Sequence, residues 1–274
     1  HFFVRRLTGY GFVMFMRDTL PFAIAAMAVM AATYFATAWI GNMAVLLVAR
    51  IAVAAVLYYA VMRVARVHIL KTVDVVMCTY NGERYLREQL DSIIGQTYPI
   101  HRLIVQDDRS TDGTVAIVRE YAARYPFISL YVNGRNLGYN LNFKSAVMRA
   151  TADFVAISDQ DDVWFADKIA RQVEAIGGHN ICFSAHVRGS RLEGARRVEP
   201  QHSLKALLFH GFAGHTMLLR RDYVQREGAW LDCIIYDWSL ALNAYFYRDK
   251  AITYIAEPLN WHRTHPDEAA RRVG

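Results

Sequence analysis

The sequence has 274 residues, of which 54% are hydrophobic and 20% charged, with a formal net charge of +6. That length sets one or two domains rather than many, and the apolar share exceeds that of an ordinary soluble domain. The basic balance suits anionic lipid or phosphate-bearing ligands. No long basic run or nucleic-acid motif accompanies it, so nucleic acid is not an expected partner.

The chain opens on its most apolar part. Leu20 to Ile40 carries no charge, and about 20 apolar residues at roughly 1.5 Å each match a hydrocarbon core of about 30 Å. Thr19 is placed to cap this helix, with Pro21 in its first turn. Gly41 and Asn42 break it, and a second apolar segment runs from Met43 to about Val64. The pair reads as a transmembrane hairpin over residues 1–70, and it is too long and too quickly repeated for a signal peptide. Arg5, Arg6 and Arg17 precede it, and Arg63, Arg66, His68 and Lys71 follow it. The positive-inside rule then puts both ends, and the domain that follows, in the cytoplasm of a bacterial inner membrane protein. Arg50 interrupts the second segment, where it either snorkels to the interface or faces a partner missing from this chain. A buried core hairpin of a soluble protein is the plainer alternative.

From Lys71 to the end the texture is that of an α/β domain. Val73–Cys78, Leu103–Gln106, Ile128–Val132 and Phe154–Ser158 read as strands. Between them, Glu83–Gln96 places Leu86, Leu90, Ile93 and Ile94 on one helical face; Thr111 caps a helix carrying Val115, Val118 and Ala122; and Phe143, Ala146, Val147 and Ala150 mark another. This βαβα alternation predicts a mostly parallel sheet covered on both faces, with ligands beyond the carboxyl ends of its strands. Cys78, Cys182 and Cys233 are odd in number and widely spaced. They therefore read as buried free thiols of a reducing compartment, not as a disulfide framework or a zinc site.

The acidic residues fall at strand ends. One strand ends in Thr79-Tyr80-Asn81-Gly82, the next in Asp107-Asp108-Arg109-Ser110-Thr111-Asp112-Gly113, and the fourth in Ser158-Asp159-Gln160-Asp161-Asp162. In a parallel sheet these lie on one edge, and clustered carboxylates need a cation or hydrogen bonds to coexist. A hard divalent ion, Mg²⁺ or Mn²⁺, suits oxygen ligands and bridges to substrate phosphates. Turn and cap chemistry alone accounts for Ser110 to Gly113 but poorly for three aspartates directly after an apolar strand.

Four motifs in order, Val75-Val76-Met77-Cys78-Thr79-Tyr80-Asn81-Gly82, Val105 to Thr114, Asn136-Leu137-Gly138 and the D-x-D at Asp159 to Asp161, resemble glycosyltransferase family 2, with its GT-A type fold. The form Ser158-Asp159-Gln160-Asp161-Asp162-Val163-Trp164 is similar to the rhamnosyltransferase-like branch. The resemblance implies a nucleoside diphosphate-sugar donor, with Thr79, Tyr80 and Asp108 on the nucleotide, Asp159 near the ribose, and Asp161 on the metal. Asn142 and Lys144 fall near the donor. It also implies an acidic base at the start of an apolar helix, a place filled by Asp237 in Tyr236-Asp237-Trp238, with Asp232 as its nearest rival; the base would take the acceptor proton and give inversion. Leu259-Asn260-Trp261-His262-Arg263-Thr264-His265 resembles the family's Tyr-Arg-x-His segment. This makes Arg263 a diphosphate contact and His265 a metal ligand, with His262 as the alternative ligand. Gly211 to Thr216 is expected to line the acceptor cleft, while His179, His186 and His210 read as structural or surface residues.

The hairpin with its flanks, Asp18-Thr19-Leu20-Pro21-Phe22 and His68-Ile69-Leu70-Lys71, looks like the carboxyl end of an O-antigen or polysaccharide flippase, and two helices suit an anchor better than a transport path. The expectation is a catalytic domain over 71–274 that moves a sugar, rhamnose by the branch resemblance, onto a glycan or lipid-linked acceptor. The rival is a membrane protein of polysaccharide export with an inactive sugar-nucleotide-binding domain.

Overall fold

A computed structural model of the chain describes residues 12–38, 40–64, 71–199, 212–231, 234–247 and 251–266. The chain divides into two compact units, His1–Leu70 and Lys71–Gly274.

Among its described residues the first unit holds the helices α1 (Phe12–Thr37) and α2 (Met43–Val64). The helix α1 begins before the expected cap, so Thr19 does not cap it and Pro21 lies in its interior. Asn42 caps α2, its Oδ1 accepting from Val45 N at 3.2 Å. Arg50 meets a partner within the unit. Its Nε donates to Thr37 Oγ1 at 3.2 Å and its guanidinium lies over the Tyr34 ring at 5.3 Å. The expected membrane crossing is corrected here: among the described residues no helix is long and apolar enough to cross a membrane.

The second unit is an α/β domain. In chain order it holds β1 (Val73–Thr79), α3 (Glu83–Ile94), β2 (Arg102–Asp107), α4 (Thr114–Arg124), β3 (Ile128–Val132), α5 (Tyr139–Val147), β4 (Phe154–Ser158) and β5 (Val163–Trp164). There follow α6 (Lys168–Ile176), β6 (Ile181–Gly189), β7 (Arg196–Val198), a 3₁₀ turn (Gly214–Thr216), β8 (Met217–Arg220), α7 (Arg221–Val224), α8 (Tyr236–Tyr247) and β9 (Ile252–Arg263). The strand order is β3-β2-β1-β4-β8-β6-β9-β5, with β7 beside β6.

The strands β1 to β4 are parallel to one another, as the alternation predicts. The rest is not: β8 is antiparallel to both β4 and β6, β7 to β6, and β5 to β9. The sheet is therefore mixed rather than mostly parallel, since β8 enters it antiparallel between β4 and β6. Since β6 and β9 are parallel, two reversals bring the carboxyl ends of β1, β2, β3, β4, β6 and β9 to one edge.

Every residue of β1 and β4 is buried, the unbroken apolar run of a strand covered on both faces. One face packs Val76, Ile104 and Ile157 with α5 and α8; the other packs Val75, Val105 and Ala156 with α3, α4 and α6. The helix α4 starts at Thr114 after Gly113, so Thr111 is not its cap. Thr111 instead turns back to Asn81, whose Oδ1 accepts from its N at 2.8 Å. Cys78 and Cys182 are buried and free; Cys233 lies outside the described residues.

Candidate active site

The loops after β1 and β2 are tied together by carboxylates that spend their lone pairs on hydrogen bonds. Thr79 is buried and its Oγ1 donates to Asp107 Oδ2 at 2.8 Å. Ser110 N adds a bond to Asp107 Oδ1 at 2.9 Å. Asn81 and Arg109 both have positive φ, 48° and 65°, backbone that non-glycine residues seldom adopt and that these bonds hold in place. Asp108 is 3% exposed. Its Oδ1 accepts from Leu137 N at 2.7 Å and Asn133 Nδ2 at 2.8 Å, and its Oδ2 from Gly138 N at 2.9 Å. The Asn136-Leu137-Gly138 motif is thus a nest of N–H donors built around Asp108. Asn142 belongs to the same network, accepting from Asn133 Nδ2 at 2.8 Å and donating to Gln106 O at 3.0 Å. Lys144 is half-buried two residues on in α5.

The loop after β4 is different. Asp159 is half-buried, and its carboxylate takes no hydrogen bond among the described residues. Burial, then the charges of Asp162 and Asp161, push its carboxyl well above the usual range. Gln160, the middle of the D-x-D, clamps the backbone of Tyr80: Oε1 accepts from its N at 2.9 Å and Nε2 donates to its O at 3.1 Å. A Cβ at Gly82 would overlap the Gln160 amide, so a side chain there would displace this clamp. The Tyr80 side chain is left 44% exposed at the mouth of the site.

Asp161 faces His265, with Oδ2 and Nε2 separated by 2.8 Å. Tyr85 packs against the His265 ring, centroids 4.7 Å apart. Arg263 lies behind this pair. Its Nε donates to Asp161 O at 3.2 Å, its Nη2 pairs with Glu88, and its guanidinium sits over Trp261 and Tyr85 at 4.3 and 4.7 Å. Its guanidinium thus stands beside the Asp161–His265 pair, bonded to the Asp161 backbone and to Glu88.

Asp237 stands in the first turn of α8. Its Oδ1 accepts from Trp238 N at 2.7 Å and its Oδ2 from Gly214 N at 3.3 Å. Burial raises its carboxyl to about 6, and its charge in turn contributes to the rise at Asp159. Gly214 has no room for a side chain because the Tyr236 hydroxyl lies against it. The rival base Asp232 and Gly211 lie outside the described residues.

A second layer was not anticipated from sequence. Asp162 is fully buried and accepts at both oxygens: His262 Nδ1 meets Oδ1 at 3.0 Å, while His215 Nδ1 and Asn260 Nδ2 meet Oδ2 at 2.9 and 3.1 Å. Burial works to raise this carboxyl, but the two imidazoles hold it far below the usual range. Lys168, also fully buried, donates to His215 O at 2.7 Å and Asn260 Oδ1 at 3.3 Å, and burial lowers its ammonium to about 7. Asp162, His215 and His262 offer ligand atoms within 4.8 Å of one another, yet hydrogen bonds already account for both carboxylate oxygens. The only sequence signal for this layer was polar residue types inside apolar strand ends.

Two histidines were open as metal ligands, and the fold separates them. His262 turns inward to Asp162, and His265 turns to Asp161. The Asp161–His265 pair offers one carboxylate oxygen and one imidazole nitrogen on different elements, beside a carboxylate whose charge its neighbours disfavour. A carboxylate oxygen and an imidazole nitrogen so placed suit a divalent metal ion.

Residues 74–235, more than half of the chain, match the model of the glycosyl transferase family 2. Among curated relatives, the dTDP-rhamnosyl transferase RfbG of Shigella flexneri is 28% identical over 182 residues, 60% of this chain and 63% of that protein. An uncharacterized Mycobacterium tuberculosis protein, Rv1520, is 36% identical over 160 residues, 56% of this chain and 44% of its own length. The chain thus spans less than two thirds of these relatives. The fold is that of Staphylococcus aureus TarS 1–349 in complex with UDP-GlcNAc, with a TM-score of 0.60, 20% identity, and 72% of this chain and 60% of that one covered. It is also that of the Pyrobaculum calidifontis mannosyltransferase PcManGT with GDP-Man and Mn²⁺, with a TM-score of 0.57, 20% identity, and 91% and 71% covered. The four strand-end motifs, the mixed sheet that gathers them and the family match agree: the chain belongs to glycosyl transferase family 2.

Proposed function

We propose that this domain is an inverting glycosyltransferase that moves a sugar from a nucleoside diphosphate-sugar to a hydroxyl of a glycan or lipid-linked acceptor. The observation that carries the reading is the Asp161–His265 pair together with a buried carboxylate, Asp237, raised by burial to about 6, with Asp161 and Asp237 both near enough to Asp159 for their charges to raise its carboxyl.

Asp237 is the base. Held by two backbone N–H groups, it accepts the proton of the acceptor hydroxyl as that oxygen bonds to the anomeric carbon. The bond from that carbon to the diphosphate oxygen breaks on the opposite face, and the nucleoside diphosphate leaves. A pKa near 6 keeps Asp237 mostly ionised at neutral pH while leaving it basic enough to accept a proton. Asp161 and His265 would hold Mg²⁺ or Mn²⁺, which would neutralise the diphosphate and stabilise the charge on the leaving group. Tyr80, exposed and clamped through its backbone, contacts the base of the nucleotide, with Thr79 and Asp108 shaping the loops around it. Asp159 faces the ribose, and Lys144 lies on the helix nearest the donor. The relative RfbG supports rhamnose as the sugar.

The apolar side chains that α1 and α2 leave exposed, Met27, Met30, Phe35, Leu47, Val48 and Ile51 among them, support attachment of the protein to a membrane. The reading puts it at the bacterial cytoplasmic membrane with the catalytic unit in the cytoplasm.

The test is a donor screen on the purified chain, dTDP-rhamnose included, with Mn²⁺ and with chelator. Metal-dependent release of nucleoside diphosphate from at least one donor, lost in Asp237→Asn, is expected. Absence of binding and turnover with every donor overturns the reading.

A further inference from the structure

The helix that carries Asp237 starts without a side-chain cap from the residue before it. α8 opens at Tyr236, directly after Ile235, and an isoleucine side chain offers no oxygen to the first N–H groups of a helix. Asp237 takes one of them itself, since its Oδ1 accepts from Trp238 N at 2.7 Å. The N–H of Tyr236 is taken by another element. Asn140, half-buried and the second residue of α5, accepts from Tyr236 N at Oδ1 at 2.9 Å and donates from Nδ2 to Ile234 O at 3.3 Å. One amide thus grips the backbone on both sides of Ile235 and sets the angle at which the chain enters α8.

The grip is anchored on the nucleotide side. Asp108 holds Leu137 N and Gly138 N just ahead of Asn140, and Asn142 N closes the first turn of α5 on Gly138 O at 3.0 Å. One turn on from Asn140, the buried Phe143 ring meets the buried Tyr236 ring, centroids 4.5 Å apart. The Tyr236 hydroxyl in turn lies against Gly214, whose N–H holds the other oxygen of Asp237. Asp237 is therefore fastened at Oδ1 through a helix turn that Asn140 holds, and at Oδ2 through a 3₁₀ turn that Tyr236 backs.

We infer that Asn140 is a positioning residue for the transfer: acting through the backbone of residues 234–236, it fixes the first turn of α8 against the nucleotide loop and so aims Asp237 at the acceptor hydroxyl. The inference rests on the transferase reading, in which Asp237 is the base. Reaction geometry tolerates little error, since a misplacement of about 1 Å can cost on the order of 10²-fold in rate.

Release of nucleoside diphosphate by the full chain is followed with the donor that wild type accepts, dTDP-rhamnose first, and binding of the same nucleoside diphosphate with Mn²⁺ is measured by calorimetry. Asn140→Ala should lower kcat by about 10–100-fold, with the donor KM and the nucleoside diphosphate affinity unchanged. Asn140→Asp keeps an oxygen facing the start of α8, where negative charge is favoured, and should restore most of the loss. In an Asp237→Asn background Asn140→Ala should cost nothing further, because a residue that acts through the base has no effect once the base is gone. Should Asn140→Ala fail to fold, Asn140→Gln, which moves the amide out by one methylene, takes its place with the same fall expected. An unchanged kcat, an equal loss in Asn140→Ala and Asn140→Asp, or a full further loss on top of Asp237→Asn overturns the inference. Wild type that releases no nucleoside diphosphate from any donor, or that is indifferent to Asp237→Asn, overturns the transferase reading and the inference with it.

Discussion

Asp107 ends β2 and Asp108 follows it, while Asp159, Asp161 and Asp162 follow β4; the same residue type sits on the same sheet edge two strands apart. The first pair is saturated. Asp108 alone accepts three hydrogen bonds between 2.7 and 2.9 Å, so its charge is spent on holding the Asn136-Leu137-Gly138 loop. After β4 the carboxylates divide: Asp162 is satisfied by two imidazoles and an amide, whereas Asp159 is raised by burial and by its neighbours, as is Asp237 by burial alone. Carboxylates that build a site and carboxylates fit to bind charge or move protons are told apart by who donates to them, not by position in a motif.

The comparison breaks first at Asp237. Asp237→Asn should lower kcat by about 10²–10⁴-fold, the usual share of a positioned base, with donor affinity intact; a fall of less than about tenfold would remove it from that role. Next, Asp161→Asn and His265→Ala should each weaken Mn²⁺ binding, followed by its electron paramagnetic resonance, by more than the 10–100-fold typical of losing an outer partner of a metal ligand. His262→Ala should leave Mn²⁺ affinity close to wild type while lowering stability.

The contrast is sharpened by denaturant titration at neutral pH. Asp108→Asn should cost about 1–3 kcal/mol, since an amide cannot satisfy the same donors, whereas Asp159→Asn should stabilise the protein by removing a buried charge that its neighbours oppose.

The smallest effect is in the pH profile. With Asp237 near 6 in the fold against an ordinary 3.8, turnover should rise with pH and reach half its plateau at about pH 6. The sign for stability is opposite. The fold prefers the protonated acid, so wild type should lose stability relative to Asp237→Asn as pH climbs from about 4 to about 6 and change little beyond.

Much of the catalytic unit was legible in the sequence. The strands β1 to β4 lie within a residue or two of their expected bounds, because strands buried on both faces must be continuously apolar and the turns between them must be polar. The first helix was less so. Its expected cap at Thr19 followed the edge of the apolar run, but local polarity does not end a helix, and α1 continues back to Phe12. Arg50 had no partner in view because Thr37 and Tyr34 meet it only once the helices pack.

What the sequence determined by itself is the chemistry on offer: aspartates at the ends of apolar strands, a histidine pair near the end of the chain, and an aspartate opening an apolar helix. Periodicity and local propensity suffice for that, since each depends on neighbours a few residues away. Only the tertiary structure decided which histidine meets Asp161, that Arg263 is held by Glu88, and that Asp162 is a buried anchor shared with His215. Those pairings join residues far apart in the chain, 104 positions for Asp161 and His265 and 175 for Glu88 and Arg263, and they depend on the reversal of β8 and the register of β9 against β6. No local pattern encodes either, because both follow from how the whole sheet buries its two faces at once.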